Sequence, residues 1–350
     1  MVAPVVFSIN GTQVEPGSRA TVEVPIARLY TYAPLSMPVQ VVNGRREGPR
    51  LFVSAALHGD EINGVEIIRR LLQLPVLKRL HGTLVAVPVV NVFGFINRSR
   101  YLPDRRDLNR SFPGSDSGSM AARLAHVFIQ EVVSHCTHGI DLHTAAVHRD
   151  NLPQIRANLD DPVTRDMAEA FGVPVLLNAN EIDGSLRQTV TQRGIPMLLY
   201  EAGEALRFDE MSIRAGLNGI VSVMRTLGML PRSGRKRSRP RSSVARKSTW
   251  IRAPQSGILR SHVPLGARVH RGDVLGVISD PYGEREVALE SAIEGIVIGR
   301  ANLPLVNQGE ALFHVALFDA PDETEAVVEH FEKQIAEDPQ PFLEEEPPVI

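Results

Sequence analysis

The sequence predicts an α/β domain, a mainly parallel or mixed sheet flanked by helices on both faces, followed by a small β-rich domain. Three observations carry this. From about residue 37 to 230, short apolar runs alternate with amphipathic stretches, the pattern of buried strands covered by helices. At residues 231–249 the composition changes to "PRSGRKRSRPRSSVARKST", which leaves almost nothing to bury. Beyond it come short β-rich runs punctuated by glycines from Gly257 to Gly309.

Taken in order, "MPVQVVNG" and "RLFVSAAL" read as strands, and the second stops at His58. In "SAALHGDEINGVEIIRRLL" the residues Ile62, Val65, Ile67, Ile68, Leu71 and Leu72 then recur at helical intervals, which predicts a helix over Ile62–Leu72. "TLVAVPVVN" is a strand, "MAARLAHVFIQEVVSH" an amphipathic helix, and "GIDLHT" an apolar strand with a polar end. "DDPVTRDMAEAFG", "VPVLLN", "GIPMLLYEAG" and "MSIRAGLNGIVSVMRTLGM" continue the alternation to residue 230. Residues 1–36 are expected to pack on this α/β domain (37–230) as an N-terminal extension. The basic stretch 231–249 is expected to be a solvated linker, 250–318 a small β-barrel, and 319–350 an acidic helix with a frayed tail.

Composition excludes several classes. The chain has 350 residues, 43% of them hydrophobic and 22% charged, enough for a catalytic-size domain and a companion. A formal net charge of -2 gives no global field toward nucleic acid or an anionic membrane. The basic stretch has no aromatic residues to stack on bases. The single cysteine, Cys136, cannot form an internal disulfide, and there is neither a secretory leader pattern nor an apolar run of membrane-spanning length. The expectation is a cytoplasmic protein with a small-molecule substrate, with no nucleic-acid or membrane partner and with homo-oligomerisation open.

In sheets of this kind ligands sit outside the carboxyl ends of the strands. Three polar groups follow directly on apolar runs: His58–Glu61, Asp141–His143 and Glu201. His58 and Glu61 are three residues apart, a spacing that at a strand-to-helix turn can aim both side chains at one point. With His143 they supply the imidazole and carboxylate set that zinc takes in catalytic sites. His148 is a rival third ligand. Glu201 is the candidate general base, because a carboxylate at the end of an apolar strand is costly to place there without purpose; Glu204 is its alternative. The segment "NRSRYLPDRRDLNRSFPG" is dense in arginine, a residue suited to clamping carboxylates and developing oxyanions.

"HGDE", "SRY", "DLNRSFPG", "DLHT" and "YEAGE", in that order, resemble the succinylglutamate desuccinylase/aspartoacylase family, relatives of the zinc carboxypeptidases, over roughly residues 40 to 230. The resemblance implies a zinc carboxypeptidase-like sheet and a Zn2+ cofactor held by His58, Glu61 and His143. It implies Glu201 as general base and acid toward the attacking water, and Arg100 as the group that polarises the scissile carbonyl, with Arg98 as a rival. It further implies Asn109 and Arg110 as binders of the substrate carboxylate, and Asp107 as the acid orienting a ligand imidazole. Arg156, in "NLPQIRANLDDP", is placed on a loop after His143, where it could meet a second acidic group; Arg187 and Arg193 are alternatives.

The segment "APQSGIL…VPLGARVHRGDVLGVI…ESAIEGIV" resembles the biotinyl/lipoyl-type hammerhead barrel, but "ALESAIEG" has no lysine at the hairpin tip, so covalent carriage of biotin or lipoate is not expected. The function expected is a zinc-dependent hydrolase that cleaves the amide bond of an N-acylated amino acid or a similar small N-acyl compound with a metal-activated water. The alternatives are a zinc carboxypeptidase acting on short peptides and an inactive module binding an acidic partner.

Overall fold

The computed structural model describes residues 5–179, 181–232, 242–245 and 247–337. Most of the basic stretch expected as a linker, and the acidic tail after Glu337, lie outside these residues.

A short hairpin, β1 (Phe7–Ile9) and β2 (Thr12–Val14), leads into β3 (Arg19–Arg28), β4 (Pro34–Asn43) and β5 (Arg46–Ala55). Then come α1 (Asn63–Leu71), β6 (His81–Val87), α2 (Val92–Asn97), α3 (Met120–Glu131), β7 (His138–Ala145), β8 (Arg149–Ala157), α4 (Pro162–Phe171), β9 (Val175–Asn178), α5 (Leu186–Gln192), β10 (Met197–Glu204) and α6 (Glu210–Thr226). The rest is β11 (Ser243–Ala245), β12 (Lys247–Arg252), β13 (Gly257–Ser261), β14 (Arg268–Val269), β15 (Val274–Ser279), β16 (Glu286–Glu290), β17 (Gly295–Ala301), β18 (Leu305–Val306), β19 (Ala311–Leu317) and α7 (Pro321–Glu337).

The fold is mixed α/β around one large sheet. Its strands run β12-β19-β17-β8-β10-β7-β5-β6-β4-β3, with β9 and β11 continuing from β8 and β14 pairing with β17. The centre is parallel: β5 pairs with β6 and β7, and β7 with β10. Because successive side chains on a strand point to opposite faces, β5 supplies both cores. Leu51, Val53 and Ala55 join Ile67, Ile68 and Leu71 of α1, together with Ile213, Ile220 and Met224 of α6. Phe52 faces the other way, onto Phe128 of α3, in an edge-to-face contact at 6.1 Å. No helix among the described residues is long and apolar enough to cross a membrane.

Three features differ from the sequence expectation. Arg156 is on a strand, β8, and not on a loop. Pro153 and the polar residues Asn151, Gln154 and Arg156 disguise this strand; once folded, Gln154 donates to the Ile298 carbonyl at 3.3 Å and Asn151 to the Glu201 carboxylate at 2.7 Å. Strand begins earlier than residue 250, since Ser243–Ala245 pairs with β9 and Lys247–Arg252 with β19. Finally, the C-terminal strands do not form a freestanding unit. One group forms a separate four-stranded sheet, β16-β15-β13-β18, which packs on β12, β14, β17 and β19 through Leu259, Leu275, Ile278, Val297, Leu312 and Val315. The second group is hydrogen-bonded onto the large sheet, with Gly299 opposite Asn151 and Arg300 opposite Asp150.

Candidate active site

The site begins where β5 runs out. Past Ala55 the chain turns sharply at Ala56, whose φ is 48°, a left-handed conformation that a side chain tolerates only when its surroundings hold it. Those restraints are Val90 N–H donating to the Ala55 carbonyl and Asn91 N–H to that of Ala56. His58 follows, then Gly59, where a Cβ would lie 1.9 Å from the carbonyl carbon of Gly94. Only glycine lets the turn pass this close to α2. Glu61 N–H closes the turn on the His58 carbonyl at 3.1 Å, and α1 starts two residues on. His58 and Glu61 thereby share one turn, and the carboxylate reaches back to the imidazole.

On β7, Asp141 and His143 are alternate residues and so share a face, while Ile140 and Leu142 enter the helix-covered core. His143 reaches Glu61 from the far side. His58 Nδ1 is 2.7 Å from Glu61 Oε1 and His143 Nδ1 is 2.7 Å from Glu61 Oε2. The outer nitrogens are held by acids: His58 Nε2 lies 3.2 Å from Asp107, and His143 Nε2 lies 2.7 Å from Asp141, itself anchored by the Ser54 hydroxyl at 2.7 Å.

Burial favours neutral forms for all three central side chains, yet their mutual charges outweigh it. Glu61 is held well below the usual carboxylate range by the two imidazoles. His143 is held well above its ordinary value by Asp141 and Glu61, and His58 is raised by Glu61 and Asp107. A carboxylate between two Nδ1 atoms at this distance needs shared positive charge, which ring protons or a divalent cation can supply. The donor set fits the cation well: two imidazole nitrogens and a carboxylate oxygen lie within 4.8 Å of one another, all buried. Nε2–H bonds to Asp107 and Asp141 would leave each Nδ1 lone pair facing the centre.

A cavity of about 290 Å³ opens from this cluster. Arg100 lies at its edge with Nη1 3.2 Å from His58 Nδ1 and 3.3 Å from Glu61, and it pairs with Asp107 at 3.0 Å. Asn109 is buried, and its side-chain oxygen accepts from Leu186 N–H at 2.9 Å, which leaves its NH2 for the cavity. Arg110 lies beside it, mostly exposed. Glu201 pairs in register with His143 on the neighbouring strand. Its carboxylate accepts from Asn151 at 2.7 Å and lies 3.4 Å from Arg156.

The structure therefore brings His58, Glu61, His143, Arg100, Asn109, Arg110, Arg156 and Glu201 to one cavity, with Asp107 behind His58. The rivals fall elsewhere, except Arg187, which lines the wall. Arg98 is exposed at the end of α2, and Arg193 is exposed at the end of α5. His148 is exposed beside Glu204, and Glu204 ties the β7–β8 turn to the C-terminal strands by accepting from His148 N–H and the Asn302 amide. Sequence reasoning missed Asp141 as a partner of His143, although the Asp-Leu-His alternation carried the signal. It also missed Asn151, Arg149 and Trp250, which come from a disguised strand and from residues far away in the chain.

A model of the succinylglutamate desuccinylase/aspartoacylase catalytic domain matches residues 47–227. The chain is 25% identical over 327 residues to the N-alpha-acetyl-L-2,4-diaminobutyric acid deacetylase of Halomonas elongata, covering 90% of this chain and 94% of the relative. Among solved structures it is similar to a succinylglutamate desuccinylase/aspartoacylase from Rhodobacter sphaeroides, at 25% identity and a TM-score of 0.76 over 86% of this chain and 96% of that one. It also shares its fold with the product-bound ectoine utilization protein EutE (DoeB) of Ruegeria pomeroyi, at 22% identity and a TM-score of 0.77 over 85% and 95% of the two chains.

Proposed function

This chain belongs to the succinylglutamate desuccinylase/aspartoacylase family, and on that premise we propose that it is a zinc-dependent hydrolase of N-acylated amino acids or similar small N-acyl compounds. The observation that carries the reading is the buried His58–Glu61–His143 cluster with Glu201 on the adjacent strand. The similarity to a diaminobutyrate deacetylase along nearly the whole chain supports the reaction type.

In this reading His58, Glu61 and His143 hold the zinc, and Asp107 and Asp141 orient the two imidazoles. Zinc supplies Lewis acidity there, polarising the carbonyl and acidifying water. Arg100 donates to the carbonyl oxygen as negative charge builds on it, a role its place beside the cluster suits. Asn109 NH2 and the Arg110 guanidinium take the α-carboxylate. Glu201 accepts the proton of the attacking water and returns it to the departing amine. Its bonds to Asn151 and Arg156 keep the carboxylate turned to the cavity. Residues 37–230 would carry the chemistry, and the strands from residue 250 on would close one side of the cavity.

The test is a turnover screen of zinc-loaded protein against N-acetyl and N-succinyl amino acids with dipeptides in parallel. Release of free amine from the N-acyl amino acids, and not from dipeptides, is expected. Dipeptide cleavage alone would make the protein a peptidase.

A further inference from the structure

A second cavity, of about 580 Å³, lies at the opposite end of α1 and β5 from the His58–Glu61 turn. It opens at the edge of the large sheet. Its floor is β4, where Gln40 and Val42 are alternate residues and so share the face that packs toward α1. Leu72, Leu74 and Leu77, at and just beyond the end of α1, form one wall. The opposite wall is the entry to β3, pinned by Gly17 N–H donating to the Asn43 carbonyl at 2.8 Å.

Four cations line this groove, Arg19, Arg45, Arg69 and Lys78, and none of its lining residues is acidic. Arg69 is neutralised by Glu66 at 2.6 Å. Arg19 donates to the Leu72 carbonyl at 3.3 Å and meets no carboxylate among the described residues. Arg45 and Lys78 have neither a hydrogen-bond nor an ion-pair partner among the described residues. The stem of Arg45 crosses Gly17 so closely that a Cβ there would lie 2.8 Å from Arg45 Cγ. Gly17, at a φ of 80°, thus makes the turn and seats the arginine. Three cations without a counter-charge on a concave surface concentrate anions there, and the guanidinium fork matches phosphate oxygens.

The groove is not only charged. The Gln40 amide is half-buried beside the leucine wall and makes no hydrogen bond to the described residues. An alkyl chain laid there would leave this amide unpaired, whereas a flat ring with polar edges covers the leucines and satisfies it. The volume falls within the roughly 300–1,000 Å³ usual for small-molecule sites.

We propose that this groove is a second binding site, separate from the catalytic cavity, for a nucleoside di- or triphosphate. Arg19, Arg45 and Lys78 take the phosphates, and the base lies on the leucine wall with one edge at Gln40. The site stands independently of the deacylase reading.

The experiment titrates the zinc-loaded full chain by calorimetry at 0.1 M salt with ADP, AMP, pyrophosphate and adenosine. ADP is expected to bind once per chain and more tightly than the other three. Arg45→Gln and Lys78→Gln, both at exposed positions, should each weaken ADP by about tenfold, the effect of losing one charge-assisted contact. Gln40→Leu should weaken ADP and leave pyrophosphate unchanged. His58→Ala, at the far end of α1, should leave ADP binding as it is. Adenosine binding as tightly as ADP removes the phosphate role, and pyrophosphate binding as tightly as ADP shows an unselective anion site; either overturns the proposal. So does the absence of ADP binding, its indifference to Arg45→Gln and Lys78→Gln, or its loss in His58→Ala, which would place the nucleotide in the catalytic cavity.

Discussion

His143 and Glu201 stand side by side on adjacent parallel strands, paired in register, so an imidazole of the His58–Glu61–His143 cluster and the candidate base are positioned by the pairing of the same two strands. This fixes their separation without a loop. It also allows their roles to be separated by mutation.

Glu201→Gln keeps the shape of the side chain and removes its basicity. It should lower kcat by about a hundredfold or more while zinc content stays at one per chain, as expected for a lost general base. Asn151→Ala, which removes the amide donor to Glu201 and leaves Arg156 on the same carboxylate oxygen, should give a smaller loss of the same kind. Near-normal turnover in Glu201→Gln would take the role away from this residue.

Alanine at His58, Glu61 or His143 should abolish zinc binding and activity together, because each removes one of three protein donors. Asp141→Asn is the finer probe. It removes the charge behind His143 and should weaken zinc affinity by roughly 10- to 100-fold without abolishing the site. Competitive zinc titration against a chelator reads the difference.

Gly59→Ala should cost more than its size suggests. The added methyl would meet the Gly94 backbone at 1.9 Å, so the turn must open and His58 must swing away from Glu61. Loss of about 2–4 kcal/mol of stability is expected, the range of a severe local clash, with zinc affinity lost in the same variant. Urea unfolding and zinc titration measure the two effects separately.

These tests follow a division in what the chain discloses. The strand ends were legible because an apolar run that stops at a histidine and acids is a local signal. The order of motifs then tied Glu201, Arg100, Asn109 and Arg110 to the same rim. Non-local pairing was hidden. Nothing near Gly299 announces that β17 will extend the large sheet by pairing with β8. β8 itself was concealed by Pro153 and by the polar residues Asn151, Gln154 and Arg156, whose partners Glu201 and the Ile298 carbonyl come from neighbouring strands only once the sheet is assembled. Trp250 reaches the cavity only through that pairing.

Asp150 gives a pH prediction. Burial, then the neighbouring charges of Asp209 and Glu204, raise its carboxyl to about 6. The folded state therefore holds this proton more tightly than the unfolded chain, whose value is near 3.8. Stability from this group is present at low pH and is lost as pH rises from about 4 to about 6. Asp150→Asn should leave Tm unchanged near pH 4 and raise it by about 1–3 °C at pH 7.5. A variant less stable than wild type at pH 7.5 would show that the ionised carboxylate is favourably paired in the fold.

The central claim, that a metal at His58, Glu61 and His143 drives N-acyl hydrolysis, is tested most directly by stripping and reloading one preparation. Elemental analysis and amine release are followed together as zinc is removed by a chelator and returned in steps. Activity should fall to background with the metal and recover in proportion to zinc, saturating near one ion per chain. Turnover that persists in metal-free protein, or that stays absent at full zinc occupancy across the whole substrate panel, would contradict the account.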